Sequence, residues 1–471
     1  MKTKKLFAVT MLLGSIFMST GQEVQSTTET GLGVDNGAAL NTTSGTVYIG
    51  YQSGNATSGS FNTMVGHQSG SNITSGNYNT FFGALSGQNA SGTGNTYTGY
   101  RSGGTTSGNH NTFTGYRAGY NSNSSYSVLA GYYAGYNVND SYVTAIGYYS
   151  GYYGAPQSTY IGSYSGRYNT GASNLFVGYQ AGQGTNGVST GEGNAFLGAY
   201  SGANNTTGQA NVFTGDHSGY DNTTGTSNVF LGHYAGQNNT TGSWNIYIGD
   251  QAATSTTIGN GNVFIGHGAG LNNINGSKNV YLGFLAGTNA TGTNNVFIGN
   301  GAGMDETDSN KLYISSSDVA NTLPLIYGDF AENKIGIGGF NSFPTMSGNS
   351  NISYYTLFVK GGILTEEVRV SYDSTWADYV FSEDYKLKSL QEVESFINKN
   401  GHLPNVPSAE EIKEEGINVG EMAKIQQEKI EELTLYLIEQ NKKIEQQDKQ
   451  LSEQGKEIEE LKKKVEILIN N

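Results

Sequence analysis

The sequence contains no cysteine, which excludes disulfides, thiolate metal sites and a lipidated cysteine behind a leader. Proline is almost absent, at 5 residues in 471, and only 13% of residues are charged. The 38 Asp and Glu outnumber the 24 Lys and Arg, giving a net charge of −14. Phosphate binding needs clustered cations, so this balance argues against a nucleic-acid partner. The longest apolar run, Leu6 to about Met18, is well short of the ~20 residues a spanning helix needs, so no membrane-spanning segment is expected in the mature chain.

What is abundant is glycine, 69 residues, and tyrosine, 33 residues. Abundant aromatics and a clear period separate this chain from flexible Gly/Ser linkers and from collagen. The N-terminus has basic Lys2, Lys4 and Lys5, the apolar stretch, then small Ser19 and Gly21. That three-part pattern predicts a secretory signal peptide over 1–21 and hence an exported protein, secreted or at the cell surface.

The glycine that closes the phrase "NVFLG" recurs from Gly50 to Gly299 in sixteen repeats, spaced 15 to 17 residues apart with one longer step of 20 into Gly198. The residue two before it is aromatic in thirteen repeats, among them Phe213, Phe230, Tyr247, Phe264, Tyr281 and Phe297. Its neighbours are mostly Val, Ile, Leu or Thr, which predicts a short strand buried on both faces. Asn opens the strand in twelve repeats, as at Asn211 and Asn228, and stacked copies form an amide ladder along an axis. Ala or Ser and then Gly follow three and four residues after the marker, Ala253 alone replacing that Gly, which suits a second tight corner.

One strand and one small-residue corner per sixteen residues mark a parallel β-solenoid over 46–303, behind a lead-in over 22–45. Coils about 4.8 Å apart make sixteen a rod of roughly 75 Å. A strand apolar on both faces has one face to spare, which oligomerisation along the rod would use. After Met304 the repeat stops, and "NKLYISSS", "LPLIYGDF", "KIGIGG" and "YYTLFVKGGILTEEVRV" read as a β-rich neck over 304–372. A small α/β module follows over 373–418, with one helix capped by Ser389 and ended by Gly401 and a second in "SAEEIKEEG".

From 419 to 471 a heptad pattern takes over. Ile430, Leu437, Ile444, Leu451, Ile458 and Val465 form one column, and Leu433, Gln440, Gln447, Gln454, Leu461 and Leu468 form the other. This is the a/d seam of a coiled coil, whose central glutamines cost stability while fixing register. With the rod it favours three strands, so the expected assembly is a homotrimer.

Two resemblances follow from these residues. "NVFIGHGAG", "NVYLGFLAG" and "NVFIGNGAG" resemble the head repeats of trimeric autotransporter adhesins, which implies a left-handed parallel β-roll of three chains, and equally the repeats of exported bacterial tail-fibre-like proteins. The stretch from "WADYVFSEDYKLKSLQEVESFINKNGHLPNVPSAEEI" into the heptads is similar to the terminal module of those tail-fibre-like proteins. That module is related to the intramolecular chaperone of phage tail spikes, which trimerises the chain and in many cases cleaves itself off. The adhesins end in a membrane β-barrel, whereas this chain ends in polar "VEILINN", so their mode of attachment does not carry over.

The phage resemblance implies a Ser nucleophile and a nearby Lys base, and "SEDYKLK" supplies Ser382 with Lys386 or Lys388, though Glu383 stands where that family prefers Asp. A helical turn would bring Ser and Lys onto one face. His67, His233 and His267 share the column after the marker Gly, next to His217, and read as exposed corners, so no metal site is expected. No P-loop Lys follows "GHGAG" or "GIGG", so no cofactor site is expected either. The few solenoid acids are too dispersed for a glycosidase pair. Thr96, Thr98, Thr112 and Thr114 make a Thr array only two rows deep, too small for an ice-binding face. Between Tyr116 and Tyr153 tyrosines crowd the corners, and two uses compete: sugar recognition, or packing between subunits. The reading is mainly β: a non-enzymatic exported fibrous protein that binds a surface or glycan by avidity. The alternative is a self-cleaving fibre with a C-terminal chaperone.

Overall fold

The computed structural model describes residues 29–32, 45–55, 57–73, 75–316, 323–371 and 376–470, so the expected signal peptide lies outside the described residues. The chain divides into two units, Met1–Asn341 and Ser342–Asn471.

The first unit is a parallel β-solenoid of about 17 turns. Each repeat places one short strand, from Thr46–Ile49 to Val296–Ile298, in parallel register with the next. Phe230 lies opposite Tyr247, and Tyr247 opposite Phe264. The stack exceeds the expected 46–303 at both ends. Glu29–Leu32, in the lead-in, pairs with Thr46–Ile49, and Lys311–Ile314, read as neck, pairs with Val296–Ile298. Lys311–Ile314 keeps the column although the repeat's glycines are gone: Tyr313 pairs in register with Phe297 and sets its ring against it, tilted by 56° at 5.2 Å. The chain then reverses into antiparallel strands Ile326–Asp329 and Lys334–Ile337. Lys311 pairs with Asp329 at 2.7 Å beside this reversal.

The middle residue of each strand points inward. Phe213, Phe230, Tyr247, Phe264, Tyr281 and Phe297 are fully buried and stack with centroids 4.5 to 5.2 Å apart. The two flanking residues face outward, which corrects the expectation of burial on both faces within one chain. Ile246, Ile265 and Ile298 are all exposed. The opening Asn acts less as an amide ladder than as a clamp on the following coil. Asn228 Oδ1 accepts the backbone N–H of Asn245 at 3.0 Å, while its Nδ2 donates to the Gly242 carbonyl at 2.8 Å. Side-chain amides bond each other in only some coils, as Asn228 Nδ2 does to Asn211 Oδ1. Burial of the clamp asparagines is tolerated because they find such partners, as Asn245 and Asn262 do again in the next coils.

The second corner explains its glycine. Gly236 has φ 58°, and a Cβ there would sit 2.6 Å from the Phe230 ring of its own coil. Ala253 occupies that position in the next coil with φ 55°. The adjoining Tyr247–Phe264 pair is the widest and most tilted of the six core rings above. Releasing a non-glycine residue from a left-handed backbone recovers about 1–2 kcal/mol, more than the ~0.8 kcal/mol of one buried methyl. Ala253→Gly should therefore raise the melting temperature and Gly236→Ala lower it. A calorimetric scan in which Ala253→Gly melts lower would contradict this account.

In the second unit, Met346–Ser347 pairs with Ser350–Asn351, and of "YYTLFVKGGILTEEVRV" only Leu357–Val359 is strand. Helices α1 (Leu390–Asn400) and α2 (Ala409–Glu415) each open with a capping box, Ser389 with Glu392 and Ser408 with Glu411. Gly401 ends α1 in the left-handed conformation. Among the described residues of 376–418 no strand occurs, so the module expected to be α/β is helical there.

The heptad stretch is one continuous helix, α3 (Val419–Ile469), of 51 residues. Near its start its buried side is polar. The Tyr379 and Tyr385 hydroxyls donate to Glu428 and Glu432, and Lys429 reaches both carboxylates at 2.8 and 2.9 Å. Burial alone would raise the Glu428 carboxyl. Hydrogen bonds from Lys429, Tyr379 and Asn405 outweigh burial and hold it below the ordinary carboxylate value. The apolar seam is left open: Ile430, Leu433, Leu437, Ile444, Leu451, Ile458, Leu461, Val465 and Leu468 are all exposed, as are Gln440, Gln447 and Gln454.

Candidate functional site

The most distinctive surface lies on the corner after the marker glycine, from Tyr100 to Tyr179. Successive coils place equivalent side chains one rung apart, so identical residues become rails. Tyr100, Tyr116, Tyr132 and Tyr148 form one rail with centroids 4.9 to 5.3 Å apart. Tyr133 and Tyr149 stack beside it at 5.1 Å, and Tyr120, Tyr136 and Tyr152 form a third row at 5.4 and 5.1 Å. Lateral contacts, such as Tyr132 to Tyr133 at 4.7 Å and Tyr133 to Tyr136 at 4.9 Å, join the rows into one aromatic sheet.

Parallel stacking changes what the sheet can do. Tyr116 and Tyr132 each have a ring on both sides, so their faces are used by neighbours and only edges and hydroxyls meet solvent, Tyr132 remaining 41% exposed. Sugar stacking on ring faces, one of the two uses open to these tyrosines, is closed at Tyr116 and Tyr132, the two middle rings of this rail. Ring edges carry the positive end of the aromatic quadrupole. Burial, then the neighbouring phenols, raises Tyr152 to about 12, and burial likewise raises Tyr136 and Tyr149. Those phenols therefore stay protonated O–H groups.

Three arginines sit within this sheet, and sequence reading passed over them. Arg117 lies 5.5 Å from the rings of Tyr116, Tyr120 and Tyr133 and donates to the Tyr133 hydroxyl at 2.6 Å. Arg101 lies over Tyr100 and Tyr120, and Arg167 over Tyr149, Tyr164 and Tyr168. The Nε of each is enclosed without a hydrogen-bond partner. Among the described residues none of the three pairs with a carboxylate. The signal was available: these are the only arginines between Thr46 and Gly303, and all fall in the tyrosine-rich coils.

Beneath this face the internal columns change. Leu129 and Ala145 replace the core ring, and Ser127, Val143 and Ser158 replace the clamp asparagine. The outward strand positions here are mostly Thr, as at Thr96, Thr98, Thr112, Thr114 and Thr144, whereas from Leu175 to Ile298 they are mostly aliphatic. The outer strand face is thus mixed beside the tyrosine sheet, where Val128, Ile146 and Ile161 are exposed among the threonines, and mostly apolar beyond it.

Farther along, the same corner column reads Asp216, His233, Asp250, His267 in four successive coils. His233 lies 3.0 Å from Asp250 and 3.7 Å from Asp216, and His267 lies 3.3 Å from Asp250. The histidines are exposed corners, tied into an alternating row that shows only when the coils are aligned. Among the described residues no group of three or more His, Cys, Asp or Glu could hold a metal ion. A second exposed aromatic row, also missed, precedes the clamp position: Phe61 stacks on Tyr78, and His110, Tyr126 and Tyr142 stack in turn.

In the second unit Ser382 ends a 3-10 turn, Ala377–Phe381, in extended conformation, and its hydroxyl donates to the Tyr379 carbonyl at 2.7 Å. No helix runs from Ser382 to Lys386 or Lys388, so the one-faced Ser/Lys arrangement is not formed. A groove of about 690 Å³ is lined by Leu390, Val393, Leu403, Ile430, Leu433 and Tyr436, at the start of the exposed seam. No helix among the described residues is long and apolar enough to cross a membrane. No family model, curated protein or solved structure matches this chain.

Proposed function

We propose that the chain is an exported, non-enzymatic fibrous protein that assembles as a homotrimeric rod and adheres to a surface or glycan through many weak contacts. The observation that carries this reading is the division of its surface. An apolar seam along α3, continued by the groove at Leu390 and Leu403, is shaped for further copies of the chain. The tyrosine and arginine sheet is local to a few coils, as a ligand site is, whereas an interface along a rod repeats in every coil. Three copies on one assembly multiply a weak contact by effective concentration.

Light scattering on the mature chain tests the assembly. The expected mass is that of three chains, and Leu437→Asp with Ile444→Asp should reduce it to one chain without altering the solenoid's circular dichroism. A wild-type monomer would overturn the reading.

A further inference from the structure

Resting on the adhesive reading, we propose that the tyrosine and arginine face binds an extended acidic polysaccharide, with its uronate carboxylates held by Arg101, Arg117 and Arg167 along the rod axis.

The argument begins from charge. Between Gly99 and Tyr179 the chain carries three arginines against one acid, Asp140, in a protein of net charge −14. A cationic island in a solenoid whose only other Lys or Arg between Thr46 and Gly303 is Lys278 focuses an anion to one place. Among the described residues none of these guanidinium groups has a carboxylate partner, and all three arginines are only half-buried. A guanidinium without a carboxylate partner gains charge-assisted hydrogen bonds when an anion from outside the chain meets its solvent-facing N–H groups.

The tyrosine rails favour the same sign. The rails present positive ring edges and phenol O–H donors in place of negative ring faces. A neutral glycan that stacks on ring faces finds those of Tyr116 and Tyr132 closed. A carboxylate suits the planar guanidinium fork, which binds it through two parallel N–H groups. The rungs repeat at 4.9 to 5.3 Å along the first rail, close to the advance of one sugar in an extended chain, so successive sugars meet successive coils in register. The neighbouring outward threonines, Thr96, Thr112 and Thr144, add hydroxyls for the sugar ring.

The test is isothermal titration of the full chain with polygalacturonate, dextran sulfate and neutral dextran, in parallel with light scattering. Polygalacturonate is expected to bind, with affinity falling as salt rises. Arg101→Gln with Arg117→Gln and Arg167→Gln should weaken binding at least tenfold, while Lys278→Gln, a shaft cation outside the face, should leave it unchanged. A milder pair, Tyr116→Phe with Tyr132→Phe, removes two hydroxyls and keeps the stack, so it separates lost donors from lost folding; it should weaken binding severalfold. Absence of polygalacturonate binding by an intact trimer overturns the proposal, and dextran or dextran sulfate binding in its place does so while sparing the adhesive reading. Equal loss in Lys278→Gln, or a fall in assembly mass in the arginine variant, also overturns it, the latter by making the face a contact between copies.

Discussion

Phe230→Ala should cost about 3–5 kcal/mol, the range for deleting a buried aromatic ring. The ring is fully buried and stacked between Phe213 and Tyr247 at 4.7 Å on each side, so truncation removes two ring contacts as well as transfer energy. A solenoid coil touches only its neighbours, so the damage should be local before it is global. Hydrogen exchange is the informative measurement. Amides of Phe196–Phe264 should lose protection, whereas those near Phe81 should keep it. Phe82→Ala provides the contrast: its ring is 58% exposed on the outward face, and an exposed substitution of this kind stays within about 0.5 kcal/mol. Equal effects at Phe82 and Phe230 would refute the inward-facing column.

Gly232→Ala should be as damaging, for a different reason. Gly232 has φ 140°, and an added Cβ would lie 2.3 Å from the carbonyl oxygen of Gly249 in the next coil. The obstacle is backbone, which cannot turn aside as a side chain can. The unfavourable dihedral alone costs about 1–3 kcal/mol, and parting the two rungs adds lost hydrogen bonds. Denaturant titration should show a loss of several kcal/mol in total, on the scale of these two contributions. A midpoint unchanged from wild type would mean that the rungs have slack, and the stacked-glycine account would fall. Gly236→Ala meets a ring of its own coil and not a neighbouring rung, so it should be the milder of the two.

The solenoid was legible because its period is a physical count: an aromatic two residues before a glycine, repeated, can only stack. The helix ends were legible for a similar reason, since Ser389 with Glu392 and Gly401 are local signals complete within a turn. What escaped was whatever depends on alignment between coils. Lys311–Ile314 lost its glycines and so left the pattern, yet Tyr313 kept the register. Asp216, His233, Asp250 and His267 look scattered in the chain and form a row only when the coils are stacked. The outward Val and Ile positions read as buried because an apolar residue in a strand does not say whether its own chain or another covers it. The tyrosines were noticed as a cluster, but their parallel stacking, which decides that edges and not faces are presented, is a property of rung spacing and not of composition.

The clamp asparagines also set how the rod would behave under load. Every bond between coils runs along the axis, so tension at the ends pulls rungs apart one at a time. A freed coil of sixteen residues extends to about 55 Å at ~3.3–3.6 Å per residue, replacing a rung of about 4.8 Å. The solenoid is therefore a store of length, lengthening roughly elevenfold wherever a coil gives way. The coils carrying Leu129 and Ala145 lack both the core ring and the clamp amide, and they lie directly beneath the tyrosine and arginine face. A ligand gripping that face across several rungs would act as a splint on the stretch with the fewest internal ties.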